Sequence, residues 1–211
     1  LTHASRVTLR LPRLEDYPAW RALREASAAY LSKVEPDWRA PMDQESFARE
    51  VEEVEKAARE GRGASLLICR PNGQLVGGVT LGPIVNGAAM LGTWIGLPFA
   101  NHGYAVRATD AVLHIAFDVL KLDKVAASVL PDNDASTRIL EYFGFEFDPS
   151  RNLVMRVAGE PRLHLVYVVR QDGWNLSGAR RHVYRSDENA KAPVETPNYR
   201  QIPSRPARNG I

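Results

Sequence analysis

The stretch Leu91-Gly-Thr-Trp-Ile-Gly-Leu-Pro-Phe-Ala-Asn-His-Gly-Tyr-Ala105 constrains the fold more than any other part of the chain. It reads as a strand, a short turn and the opening residues of a long helix. Ala105, Ala108, Val112, Ile115, Ala116 and Val119 recur at helical spacing, which predicts an amphipathic helix over residues 103–121. The first backbone N–H groups of such a helix have no partner inside it. Together with the positive end of the helix dipole they form a seat for phosphate. A strand running straight into such a helix start points to a fold that binds a phosphate-containing cofactor.

The remaining elements follow from local signals. Residues 5–11 alternate apolar and polar and read as a strand. Asp16 is read as the cap of a helix over residues 16–30, with Pro18 early in it and Trp20, Leu23, Ala26 and Tyr30 at helical spacing. Residues 31–41 form a loop, and residues 43–60 a highly charged helix ended by Gly61 and Gly63. Strands are expected at 64–70, 74–83 and 87–96, the first pair joined at Pro71-Asn-Gly73. Residues 124–130 are almost all apolar, as an interior strand requires. Asn133 or Asp134 caps a short helix that runs to Tyr142 and stops at Gly144. The last strands are expected at 145–148 and 163–170. The order β-αα-βββ-α-β-α-ββ is a mixed α/β (α+β) sheet with helices packed against it.

Three segments carry a family resemblance: Val7-Thr-Leu-Arg-Leu-Pro-Arg-Leu-Glu-Asp16, Gly92-Thr-Trp-Ile-Gly96 with His102-Gly-Tyr-Ala105, and Leu130-Pro-Asp-Asn-Asp-Ala-Ser-Thr-Arg-Ile-Leu-Glu-Tyr-Phe-Gly-Phe145. The last is the most specific, because a Gly-Phe pair lies eight residues beyond the Ser of Asn-x-x-Ser. Over residues 5–172 the chain resembles the GNAT acetyltransferases, and within them the RimJ/RimL-like branch. That resemblance implies a mostly antiparallel GNAT sheet with helices on both faces. It implies acetyl-CoA as donor and an amine as acceptor, possible acceptors including a ribosomal-protein N-terminus. Direct attack by the amine on the thioester requires the enzyme to orient both partners, stabilise an oxyanion and help protons move. By position, the amides of strand 91–97, those of Trp94, Ile95 and Gly96 among them, would pair with the pantetheine arm as an added strand would. The turn Asn101, His102, Gly103, Tyr104 and Ala105 would hold the pyrophosphate. Asn133 would bond the cofactor's amides, Ser136 would protonate the departing thiolate, and Arg138 would meet the 3′-phosphate or adenine end. Glu35 and Trp38 lie in the loop that faces the acceptor. Plainer roles stand beside these: a helix cap for Asn133, core packing for Trp94 and Trp38, a solvated side chain for Arg138. His114 and His164 lie in apolar patterns and are read as packing residues.

The phosphate loop departs from the family pattern. Ala100 stands where an Arg or Gln is usual, and Asn101 replaces Gly. Asn is the side chain that best tolerates positive φ, so the turn survives while a cation is lost. Arg107 stands where the family has an acidic residue. A cation in the first helical turn opposes the dipole by about 0.3–1 kcal/mol. It makes sense if an anion sits there, so Arg107 is read as a partial replacement for the missing cation. The segment 152–161 lacks the branch's Tyr and Trp and offers Glu160 as its only carboxylate. An α-amine has a pKa near about 8, so it is partly neutral already and needs little base. The altered loop and the missing residues favour the alternative of a non-catalytic protein of the same fold.

Composition sets the remaining expectations. The net charge of +2 does not suggest a nucleic-acid binder. A lone cysteine, Cys69, excludes an internal disulfide and gives no support for a cysteine-rich metal site. No apolar run approaches the ~20 residues of a bilayer span, and no leader segment is visible, so a cytoplasmic location is expected without membrane partners. Residues 1–174 are read as the transferase-like domain. Residues 175–211, proline-containing and net basic, are read as an extended or disordered tail. Edge strands near 160–170 leave a monomer or a homodimer open.

Overall fold

Leu66, Ile68, Val79, Leu81, Ala89, Leu91, Val125, Ala127 and Val129 fall on alternate positions of their strands and are buried together in the main core. That period-two pattern forces one face of a sheet inward. The computed structural model, which describes residues 6–37 and 43–176, shows a mixed α/β fold built on one eight-stranded sheet. In chain order the strands are β1 (Thr8–Arg10), β2 (Ala64–Cys69), β3 (Leu75–Leu81), β4 (Ala88–Ile95), β5 (Lys124–Val129), β6 (Glu146–Phe147), β7 (Leu153–Val157) and β8 (Glu160–Arg170). The sheet order is β1-β2-β3-β4-β5-β8-β6, with β7 also on β8. Every pairing is antiparallel except β4 with β5.

The helices are α1 (Tyr17–Leu31), α2 (Gln44–Arg59), α3 (Tyr104–His114), α4 (Asp134–Tyr142) and α5 (Gln171–Leu176). Helix α3 packs on the main-core face through Ala108, Val112 and Leu113. On the other face Leu23 of α1 joins Leu67, Cys69 and Leu75 in a second, smaller cluster that includes Trp20 and Trp94. Asp43 caps α2 by accepting from Ser46 N, and Gly73, at φ 83°, turns β2 into β3.

Several expectations are corrected. Asp16 does not cap α1. Its carboxylate accepts from Arg13 N at 2.8 Å and from the Arg10 guanidinium at 2.7 and 2.5 Å. The buried stripe of α1 is Leu23, Arg24, Ser27 and Leu31, so Ala26 and Tyr30 face solvent. Helix α3 is shorter than expected, because its end widens into a π turn over Ile115–Val119. The extra residue shifts the helical phase and leaves Val119 exposed. Strand β7 was not expected. It forms a hairpin with β8 through Ala158 (φ 53°) and Gly159 (φ 82°), the left-handed pair that a tight hairpin turn requires. Helix α5 carries regular structure through Leu176, past residue 174, and buries Trp174 against His114, Phe117 and Phe143. The tail expected from residue 175 otherwise falls outside the described residues.

Candidate active site

Strands β4 and β5 pair at Ala88–Lys124, Ala89–Val125, Met90–Ala126 and Leu91–Ala127, and there the ladder stops. Both strands continue, β4 to Ile95 and β5 to Val129, so the sheet opens between them. Strand β4 stays paired with β3 along this whole length. Gly82 N donates to Met90 O and Gly96 N to Val76 O, each at 2.8 Å. In an antiparallel ladder these bonded positions alternate. The backbone groups of Met90, Gly92, Trp94 and Gly96 therefore face β3, while those of Thr93 and Ile95 face the opening. This revises the expected strand contacts. Ile95 presents its main chain to the opening, as does Thr93 of the same 91–97 stretch. Trp94 and Gly96 are bonded to β3.

The side chains of the last two explain why they are there. The Trp94 ring covers Gly78, where a Cβ would come within 2.5 Å of the indole nitrogen. Gly96 is buried against Leu23 of α1, and any Cβ would overlap that side chain. Gly92, by contrast, has open space where its Cβ would be.

The turn into α3 lies beyond the end of β4. Asn101 adopts φ 60° and Gly103 φ 77°, so Asn101 holds the left-handed conformation expected of it. His102 is exposed, its Nδ1 donates to Ala100 O at 2.7 Å, and its ring stacks on Tyr104. Tyr104 is buried with its edge toward Phe99, so its backbone, not its phenol, is what this turn can offer a ligand. Ala105 follows in the first turn. The Arg107 side chain is half-buried and makes no hydrogen bond or ion pair among the described residues. Main-chain donors, the helix dipole and an unengaged guanidinium thus meet at one helix start.

Across the opening, Asn133 caps α4. Its Oδ1 accepts from Ser136 N at 3.2 Å. The cap uses the amide oxygen and leaves the Asn133 NH2 group to donate to a ligand. Ser136 is half-buried in the first turn of α4, and Arg138 is exposed.

The loop after α1 is tied on both sides. Arg24 is buried, forks Glu35 at 3.0 and 2.6 Å, and lies 4.8 Å from the Trp94 ring centroid. Glu35 is therefore an anchor of this loop with its carboxylate in an ion pair. Asp37 N donates to Arg156 O at 2.9 Å, and Asp37 Oδ2 accepts from Gly159 N at 2.8 Å, which straps the loop to the β7–β8 hairpin. Ser27 Oγ accepts from Leu97 N at 2.9 Å and fixes the exit of β4. Trp38 lies outside the described residues. Sequence reasoning missed Arg24 and Ser27 because polar residues on a helix are normally assigned to the solvent side.

Among the described residues no group of His, Cys, Asp and Glu could hold a metal, and no helix is long and apolar enough to cross a membrane. A sheet opened between parallel strands, with a helix N-terminus beside the opening, defines a protein built to hold an extended, phosphate-bearing ligand. Residues 6–146 match the family described as Acetyltransferase (GNAT) domain. The chain belongs to this GNAT acetyltransferase family, and its structural neighbours put it on the RimJ/RimL-like branch. One is Mycobacterium smegmatis RimJ in complex with CoA-disulfide, 27% identical, with a TM-score of 0.77, covering 86% of this chain and 90% of that one. A second is RimL, a ribosomal L7/L12 α-N-protein acetyltransferase in complex with coenzyme A; it shares the fold at TM-score 0.68 and 21% identity over 80% of this chain and 95% of that one. The Bacillus subtilis protein named "Probable N-acetyltransferase YjcK" is 30% identical over 99 residues, 46% of this chain and 55% of its own length. The chain thus spans about half the length of that curated relative.

Proposed function

We propose that this protein transfers the acetyl group of acetyl-CoA to a primary amine, with the α-amine of a protein N-terminus as the leading acceptor class. The observation that carries the reading is the opening between β4 and β5 beside the start of α3. There the free main-chain groups of Thr93 and Ile95 can bond the amides of a pantetheine arm as an added strand would. The N–H groups around Gly103, Tyr104 and Ala105 suit the pyrophosphate, with Arg107 adding charge and His102 at the rim. Asn133 donates its free NH2 to the same arm, Ser136 is the proton donor for the thiol that leaves, and Arg138 serves the nucleotide end. Acetyl-CoA supplies an activated acyl carbon; the chain supplies orientation and main-chain donors, which is where most of the barrier reduction in such a transfer lies.

The acceptor enters over the loop held by Glu35, on the face shared by α1 and Trp94. Residues 1–174 act as the transferase domain and 175–211 as an appended basic tail. The short side chain at Ala100 favours a second reading, a protein that has kept this fold for binding alone. Calorimetric titration with acetyl-CoA, followed by release of CoA thiol in the presence of Ser-, Ala- and Met-starting peptides and of spermidine, tests both. Micromolar binding with thiol release supports the transferase. Binding without release favours the non-catalytic reading, and no binding refutes the assigned cofactor site.

A further inference from the structure

His164 is 2% exposed, and its Nε2 is the buried side-chain nitrogen without a hydrogen-bond partner among the described residues. Its Nδ1 lies 3.1 Å from Arg162 O, an acceptor only, so Nδ1 carries the hydrogen and Nε2 presents a bare lone pair. Leaving such an acceptor buried and unmet costs about 1–3 kcal/mol, and an atom of this kind calls for an explanation.

The register fixes which face of the sheet carries the ring. Leu165 pairs with Val129 and Val166 with Ser128. Leu165, Val129 and Ala127 pack with the main core, so His164, Val166 and Ser128 occupy the opposite face. That is the face of Met90 and Trp94, since Met90 pairs with Ala126. Ser128 is the first β5 residue beyond the last β4–β5 pair, on the lip of the opening, half-buried and with its hydroxyl in no hydrogen bond among the described residues. His164 is its diagonal neighbour on β8; such neighbours lie about 7–8 Å apart, within reach of an aromatic-sized side chain. Arg162, the nearest cation on the same face of β8, is drawn away to Asp132 Oδ2 at 2.9 Å.

We propose that His164 is the proton acceptor of the transfer reaction, taking the amine's proton on Nε2 through a water shared with Ser128. This assignment rests on the transferase reading above. The amine nitrogen forms the C–N bond to the thioester carbonyl carbon, and the C–S bond breaks with its electron pair going to sulfur. One N–H proton passes through the water to Nε2. The thiolate takes up a proton, the imidazolium releases one to solvent, and the balance is one proton moved from nitrogen to sulfur. The two groups stand on adjacent strands on the face of the sheet that carries Met90 and Trp94, so the base in this assignment lies outside the 152–161 segment.

Three measurements on the full chain test it, with acetyl-CoA and the peptides or spermidine as probes. His164→Gln lowers kcat by about 100-fold or more, the range of general-base catalysis, with the KM for acetyl-CoA within about twofold of wild type, and the limb of the pH–rate profile that reports the imidazole disappears. Ser128→Ala, which leaves the buried ring in place, lowers kcat by about tenfold through the broken relay. Long-range 1H–15N NMR of the neutral imidazole in the unmodified protein shows Nδ1–H and a bare Nε2. If His164→Gln does not fold, Ser128→Ala and the NMR measurement decide. An Nε2–H tautomer overturns the proposal without any activity measurement. An active wild type whose variants keep kcat and pH profile overturns the proton-acceptor role alone. A wild type that binds acetyl-CoA and acetylates none of the probes overturns the transferase reading and this role with it.

Discussion

Replacing Arg24 by Met tests how the acceptor loop and the cofactor strand are held together. The Arg24 and Glu35 side chains are only 7% and 13% exposed, and they meet through two hydrogen bonds. Removing one member of a buried pair costs about 3–5 kcal/mol, because the other charge loses its main compensation. The guanidinium also lies over Trp94, worth about 1 kcal/mol at a partly buried site. Met fills most of the vacated volume, and the slight exposure of Glu35 admits water, so both terms fall short of their maxima. The expected loss is about 3 kcal/mol, read in urea unfolding followed by tryptophan fluorescence. In a chain of this size it corresponds to a drop in Tm of about 6–12 °C. The double variant Arg24→Met/Glu35→Gln also removes the carboxylate's charge, and the cycle with the two single variants gives a coupling energy of about 2 kcal/mol. A single variant costing under about 1 kcal/mol, or strictly additive single variants, would refute the assignment of this pair as the anchor of the loop.

The remaining predictions concern the cofactor seat, the α1–β4 contact and the response to acid. Arg107→Glu weakens coenzyme A binding by about tenfold, or about 1.4 kcal/mol, while Ala100→Arg tightens it by a similar factor; equal Kd values in calorimetry would remove both side chains from the phosphate site. Gly96→Ala drives a methyl into Leu23, costs about 1–3 kcal/mol of overpacking, and lowers Tm; an unchanged Tm would mean that α1 does not press on β4. Burial resists ionisation of Asp16, but the Arg10 guanidinium and the Arg13 N–H outweigh it and hold the carboxyl below the usual carboxylate range. A lowered folded-state pKa gives stability that is present above the unfolded value, near about 3.9, and is lost as pH falls through the folded value. Asp16→Asn therefore lowers stability at neutral pH by about 2 kcal/mol and flattens its fall below pH ~4; parallel curves for the two proteins would contradict this.

The elements with long, regular periodicity were legible in the sequence, and those decided by a partner elsewhere in the chain were not. The start of α3 and the left-handed Asn101 follow from local chemistry, so they emerge as read. The π turn at Ile115–Val119 keeps the apolar composition of a helix and changes only its phase, which composition does not report. Burial along the outer strand β7 alternates, but the outward position 154 carries a Val that is 64% exposed, which hides the period-two pattern in the sequence. Asp16 has the residue type of a cap, but its partner is Arg10, on the preceding strand. Trp94, Ile95 and Gly96 are consecutive and equivalent in sequence; the β3 register alone decides that Ile95 faces the opening. His164 was legible as a core residue, while its unmatched nitrogen depends on what the surrounding strands do not offer.

The loss of a cation at position 100 bears on how such a site tolerates change. A charge-assisted hydrogen bond is worth about 1.5–3 kcal/mol, so a seat made of side chains would lose a large share of its affinity with one substitution. Here the groups that face the opening are the main chain of Thr93 and Ile95 and the amides at the start of α3. No substitution except proline deletes a backbone N–H. What a mutation can do is alter the φ that aims it, and Asn101 at φ 60° keeps that aim without glycine. Arg107, in the first turn of α3, leaves the loop conformation untouched. In the proposed site the change at position 100 therefore spares the main-chain groups, whose direction is written into strand register.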